Sequence, residues 1–185
     1  MGASLGAQST TPTPNCADCA AWNAPHAPFK LFGNTFYVGT NGLSALLVTS
    51  PQGHVLIDGA LPESAGQIAA SIRALGFRVE DIKVIVNSHV HFDHAGGIAE
   101  LQRLSGAEVI ASEASVPVLQ TGEVGRNDPQ YGTIPPIAKV ARVRTIPAGD
   151  TVRVGPLVLS AMRTGGHTPG GTSWTWTSCE GAECW

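Results

Sequence analysis

The run Asn87-Ser88-His89-Val90-His91-Phe92-Asp93-His94-Ala95-Gly96-Gly97 places four metal-capable side chains within six positions, directly after the apolar segment Lys83–Val86. Residues two apart in an extended segment project to the same side, so His89 and His91 can grip one ion together. Asp93 and His94 then begin the next helix and face the neighbouring volume. Imidazole and carboxylate donors suit divalent zinc. Histidines kept for packing or surface polarity have no reason to crowd beside an aspartate. His26, between prolines, and His54, at a strand-turn junction, read as ordinary histidines.

His89 and His91 need a third partner. His167 lies in Thr164-Gly165-Gly166-His167-Thr168-Pro169-Gly170-Gly171, where glycines allow close backbone approach. Three histidines with an open fourth position make a catalytic rather than a structural zinc arrangement. Asp93 and His94 would hold a second ion, with a water or hydroxide between the two metals. Zinc lowers the pKa of its water to about 7, which supplies a nucleophile without an activated serine or cysteine. Hydrolysis of an acyl bond is the natural use. Asp58 ends the strand Val55-Leu56-Ile57-Asp58-Gly59. There it either accepts an imidazole N–H and orients a ligand histidine, or caps a turn.

At 185 residues, with 43% hydrophobic and 14% charged residues, the chain fits one packed domain. We place that domain at 25–185, with 1–24 as a leader or disordered N-terminal segment. Met1 to Pro14 is small, Ser/Thr/Pro-rich and uncharged, the remnant of an export signal or a disordered tail. A net charge of −3 argues against a nucleic-acid surface. The apolar stretches fall short of the roughly 20 residues of a membrane span, so a soluble protein is expected. Cys16 with Cys19 and Cys179 with Cys184 lack a nearby histidine or further cysteine to complete a zinc cage. Disulfides in an oxidising compartment are expected instead, above all Cys179 with Cys184, while the pairing of Cys16 and Cys19 stays open.

Short strands are expected at 29–32, 35–38, 43–49 and 55–57, separated by turn formers. Apolar residues at helical spacing predict a helix over 62–75, with Pro62 at its start and Gly76 as its stop. Strand 83–86 then delivers the histidine loop, followed by a helix over 95–104, a strand at 107–111 and a helical segment from Ser112-Glu113. This alternation indicates an α/β layer arrangement. The stretch 121–136 reads as a long loop. Its Tyr131 and Ile134 either wall a substrate cleft or anchor the loop in the core. Strands resume at 140–146, 151–154 and 157–161, and Trp174 and Trp176 alternate in a following strand.

The histidine loop, the Val-Leu-Ile-Asp-Gly strand and the Gly-Gly-His-Thr-Pro-Gly-Gly turn resemble the metallo-β-lactamase superfamily. Further segments are similar to its subclass B3 enzymes: Trp22-Asn23-Ala24-Pro25 leading to Pro28-Phe29, Asn34 to Thr40, Asp128-Pro129-Gln130-Tyr131-Gly132, and Ser173 to Trp176 running into the Cys179 and Cys184 pair. The resemblance implies an αββα sandwich and zinc-dependent hydrolysis of the β-lactam amide in penicillins, cephalosporins and carbapenems. In that scheme His89, His91 and His167 bind the first zinc, Asp93 and His94 the second, and Asp93 is also catalytic. A metal-bound hydroxide attacks the β-lactam carbonyl. Tyr131 and Ile134 line the substrate cleft. The resemblance further implies a periplasmic or secreted monomer acting on a small molecule and conferring antibiotic resistance.

Family members continue beyond the point where this chain stops at Trp185, contributing a further histidine to the second zinc and a serine-bearing segment. The expectation is therefore a C-terminally truncated member holding the first half of the sandwich and the start of the second. Its second zinc would have only Asp93 and His94, its first sheet would lack a covering layer, and the polypeptide would be poorly folded and weakly active or inactive. The alternatives are another hydrolase of the superfamily, a glyoxalase-two-like thioesterase or a lactonase, and an inactive zinc-binding fragment.

Overall fold

The computed structural model describes residues 16–185; the export-signal expectation for Met1 to Pro14 lies outside them. Chain order is α1 (Cys19–Trp22), β1 (Phe29–Phe32), β2 (Thr35–Tyr37), β3 (Leu46–Val48), β4 (His54–Ile57), α2 (Ala65–Ala74), β5 (Ile82–Val86), α3 (Phe92–Ala95), α4 (Ile98–Ser105), β6 (Glu108–Ser112), α5 (Val116–Thr121) and β7 (Val143–Ile146). Then come β8 (Thr151–Val154), β9 (Leu157–Arg163), β10 (Thr172–Thr175), β11 (Cys179–Glu180) and β12 (Glu183–Cys184).

β1 to β7 form one sheet in sequence order. The turn-linked strands β1 to β4 pair antiparallel, and β4 to β7 pair parallel. The parallel half follows from the helices: α2, α4 and α5 carry the chain back between strands. β4 is buried at all four positions, as a central strand covered on both faces must be. Its Leu56 joins Ile85 and Val109 in the core under α2 and α4, while Val55 and Ile57 join Val84, Val86 and Ile110 in a second core on the other face.

That second core is closed by Val152, Val154, Leu157, Leu159, Ala161 and Trp174 of the antiparallel sheet β10-β9-β8. The expectation of a first sheet without a covering layer is thereby corrected. The chain after Ile146 supplies the layer itself, because the alternate residues of β8, β9 and β10 are apolar on one side. The architecture is the expected sandwich of helices, sheet and sheet. Among the described residues no helix is long and apolar enough to cross a membrane.

Several boundaries differ from expectation for local reasons. Trp22 and Asn23, expected in the N-terminal segment, pack on the domain: Thr40 Oγ1 and Gly42 N donate to Trp22 O at 2.6 and 3.0 Å. Asn23 accepts from Ser64 Oγ at 2.7 Å and Gln67 Nε2 at 3.0 Å, which fastens the segment to α2. β3 begins at Leu46 because Thr40 N bonds Leu43 O in a turn. β7 begins at Val143 because the N–H groups of Ala141 and Arg142 go to Gln102 Oε1 instead of the ladder. α5 begins at Val116, with Pro117 in its first turn. The helix expected over 95–104 is divided at Gly96-Gly97, where a Cβ on Gly97 would collide with Gly59 O. Both cysteine pairs are disulfides, Cys16–Cys19 and Cys179–Cys184.

The two sheets are stitched at the head of the histidine loop. Trp174 Nε1 donates to Asn87 O at 3.0 Å and Thr172 N to Ser88 O at 2.8 Å. A Trp174→Phe substitution keeps the ring but removes the indole donor, leaving a buried carbonyl unpaired. Its unfolding free energy, from urea denaturation of the metal-free protein, is expected to fall by about 1–3 kcal/mol. An unchanged urea midpoint would show that this bond contributes nothing.

Candidate metal centre

The parallel strands β4, β5 and β6 all end on one edge of the first sheet, where the connecting loops gather. β4 runs out into Asp58, whose φ of 65° and the 51° of Ala60 are left-handed values for non-glycine residues. The turn is held by Asp58 N donating to Val86 O at 2.9 Å and Gly59 N donating to His94 O at 2.7 Å. It aims a buried carboxylate at the loop after β5.

An ionised carboxylate only accepts hydrogen bonds, so its partners reveal their own donors. Asp58 Oδ1 accepts from Ser88 N at 2.6 Å, and Oδ2 accepts from Ser88 Oγ at 2.7 Å and His94 Nδ1 at 3.0 Å. The Ser88 hydroxyl has spent its proton on Asp58, so it accepts from His89 Nδ1 at 3.1 Å. One carboxylate therefore fixes two imidazoles, His94 directly and His89 through Ser88, each with its Nε2 lone pair free.

His89 Nε2 is buried without a hydrogen-bond partner. An orphaned imidazole nitrogen of this kind fits a metal ligand and is costly otherwise. Burial, followed by the neighbouring His94, lowers the His89 pKa to about 3, despite an opposing pull from Asp58. The ring stays neutral, as ligation requires. In His94 burial pushes the pKa down, but the bond to Asp58 and the charges of Asp58 and Asp93 outweigh it and the net shift is upward.

His91 is buried, and its Nε2 faces both oxygens of Asp128, at 3.1 and 3.2 Å. Its Nδ1 lies 3.1 Å from His167 Nε2. His167 is exposed on a loop closed by Thr164 N donating to Gly171 O. That loop is pinned to the β6–α5 turn: Gly170 O accepts from Ser112 Oγ at 2.8 Å and Ser115 Oγ at 3.2 Å. A Cβ on Gly170 would collide with Ser115 Oγ, so glycine is required there.

Two ligand sets result, His89-His91-His167 and His89-Asp93-His94, each with its donor atoms within 4.8 Å of one another. The five residues expected from sequence are all brought together, and His89 belongs to both sets. Tyr131, exposed, and Ile134 meet on a shallow recess with Val124, Gly132 and Pro135; no histidine lines it. Ser88 and Asp128 are the contacts that sequence reasoning missed. Ser88 lay inside the histidine run without a role, and the Asp128 bond spans 37 residues with no local signal.

A family model described as the metallo-beta-lactamase superfamily matches residues 38–180. Among solved structures, Rm3 metallo-beta-lactamase is 60% identical, with a TM-score of 0.90 over 92% of this chain and 64% of that one. MEM-A1, a subclass B3 metallo-beta-lactamase isolated from a soil metagenome library, is 57% identical, with a TM-score of 0.87 over 88% and 62%. A hydroxyacylglutathione hydrolase of Bradyrhizobium sp. (strain ORS 278) is 32% identical over 104 residues, 56% of this chain and 32% of that protein. The chain thus spans under two thirds of these structures and about a third of that curated relative.

The depressed His89 pKa sets a pH dependence. The unfolded chain binds a proton near pH 6.5 that the folded metal-free protein refuses until about pH 3. Stability from this group is complete above the unfolded value and is lost as pH falls between the two. Comparing metal-free wild type with His89→Gln isolates it: the wild type should lose melting temperature relative to the variant on acidification across that window. A pH-independent difference between the two would contradict the assignment.

Proposed function

The chain belongs to the metallo-β-lactamase superfamily, and we propose on that footing that its metal centre hydrolyses the amide of β-lactam rings, in penicillins, cephalosporins and carbapenems. The observation that carries this reading is the convergence of His89, His91 and His167 on one small volume, in a chain 60% identical to Rm3 metallo-beta-lactamase. In this reading His89 Nε2, His91 Nδ1 and His167 Nε2 hold one zinc, and Asp93 and His94, beside His89, hold a second. Zinc at such a site acts as a Lewis acid and brings the pKa of water to about 7.

The protein's own part is positional. Asp58 and Asp128 occupy the outward nitrogens of His94 and His91, so the inward lone pairs cannot rotate away. The Asp93 carboxylate, 3.6 Å from His94 Nε2, orients the water that opens the ring and takes its proton. Tyr131 and Ile134 supply the apolar wall of the substrate side. The disulfides support work in an exported compartment, periplasmic or secreted.

The test is turnover of nitrocefin and a carbapenem by the zinc-loaded chain, beside an acyl-homoserine lactone and a glutathione thioester. β-Lactam cleavage is expected, abolished by a chelator and restored by zinc. His91→Ala should lower kcat/KM by about a hundredfold or more, a loss of about 2.7 kcal/mol in transition-state stabilisation. Cleavage of the thioester or lactone with β-lactams untouched would reassign the substrate, and chelator-insensitive turnover would reject the metal.

A further inference from the structure

We propose that Asp128 is a positioning residue: by accepting the Nε2–H of His91 it fixes that imidazole with its Nδ1 lone pair turned toward His167, and ties it to the loop 121–136. The side chains of His91 and Asp128 are 2% and 3% exposed, so no solvent competes for the bond. A buried carboxylate offers only lone pairs. The opposite tautomer would set the lone pair of His91 Nε2 against both Asp128 oxygens, at 3.1 and 3.2 Å.

The carboxylate does not take its direction from His91. Asp128 Oδ1 also accepts from Gln130 N at 2.8 Å, Asp128 N donates to Gly125 O at 3.0 Å, and Tyr131 N donates to Asp128 O at 3.0 Å. The loop's own turn aims the carboxylate, and the carboxylate aims the ring. Asp58, which serves His89 and His94, makes no hydrogen bond to the His91 ring, whose partners among the described residues are Asp128 and His167. The turn that holds the proposed substrate-side Tyr131 therefore also sets which nitrogen of His91 faces the metal. The consequence for zinc rests on the functional reading above; the tautomer does not.

Asp128→Leu keeps the approximate shape but removes both oxygens that face His91 Nε2, leaving His167, beside Nδ1, as the ring's remaining partner. Long-range 1H–15N correlation of the metal-free proteins should place the His91 proton on Nε2 in the wild type and on Nδ1 in the variant. Zinc affinity, by competition with a chromophoric chelator, should fall about 10- to 100-fold with an unchanged urea midpoint as the control for folding. Three results would each overturn the proposal: a wild-type proton on Nδ1, a variant that keeps Nε2–H, or a variant that binds zinc as tightly as the wild type. Were the wild type to bind no zinc, the functional reading would fail, while the two tautomers would still decide the role of Asp128.

Discussion

Three donors meet on the Asp58 carboxylate, and the geometry of the metal centre depends on their doing so. The Ser88 N–H and hydroxyl bind the head of the histidine loop to the end of β4, and the His94 N–H binds its far end to the same group. A six-residue stretch rich in imidazoles would otherwise sample many ring orientations. Here the proton positions are dictated from outside, and lone pairs are left pointing inward. The cost is visible in the left-handed backbone at Asp58 and Ala60, which the surrounding hydrogen bonds hold in place.

The second constraint is layered packing. Strands buried on both faces bring Asp58 and the histidine loop side by side, and the second sheet then delivers His167 from the far side of the sandwich. Trp174 and Thr172 lock that sheet to Asn87 and Ser88, the residues preceding His89. Ser112 and Ser115 pin the loop that carries His167. The centre is thus assembled from the ends of β4, β5, β6 and β9, with Asp128 arriving from the long loop. Each contribution is anchored by backbone or buried polar contacts rather than by exposed ion pairs.

Much of this was legible in the sequence, for physical reasons. The crowding of His89, His91, Asp93 and His94 after an apolar strand is local, and local patterns survive without coordinates. The α/β alternation and the helix over 62–75 came from apolar periodicity, which packing on one face imposes. His167 could be found because glycines around a lone histidine mark a close-approach loop. The covering of the first sheet could not be judged the same way. The alternation in β8, β9 and β10 was visible as strands, but which face they would bury was a tertiary fact. Nor could Asp128 be assigned: a carboxylate bonded across 37 residues leaves no periodic trace, and only the fold brings it to His91. Of the two uses expected for Asp58, a bond to an imidazole is seen at His94 Nδ1, whereas the relay through Ser88 to His89 needed atomic positions.

The central claim is that three imidazoles, from two loops on opposite sides of the sandwich, share one ion. X-ray absorption at the zinc edge, on the chain loaded with one equivalent, addresses it directly. The account predicts three imidazole nitrogens at about 2.0–2.1 Å, dropping to two in His167→Ala. A first shell with fewer than three imidazoles in the wild type, or one unaltered by His167→Ala, would contradict it.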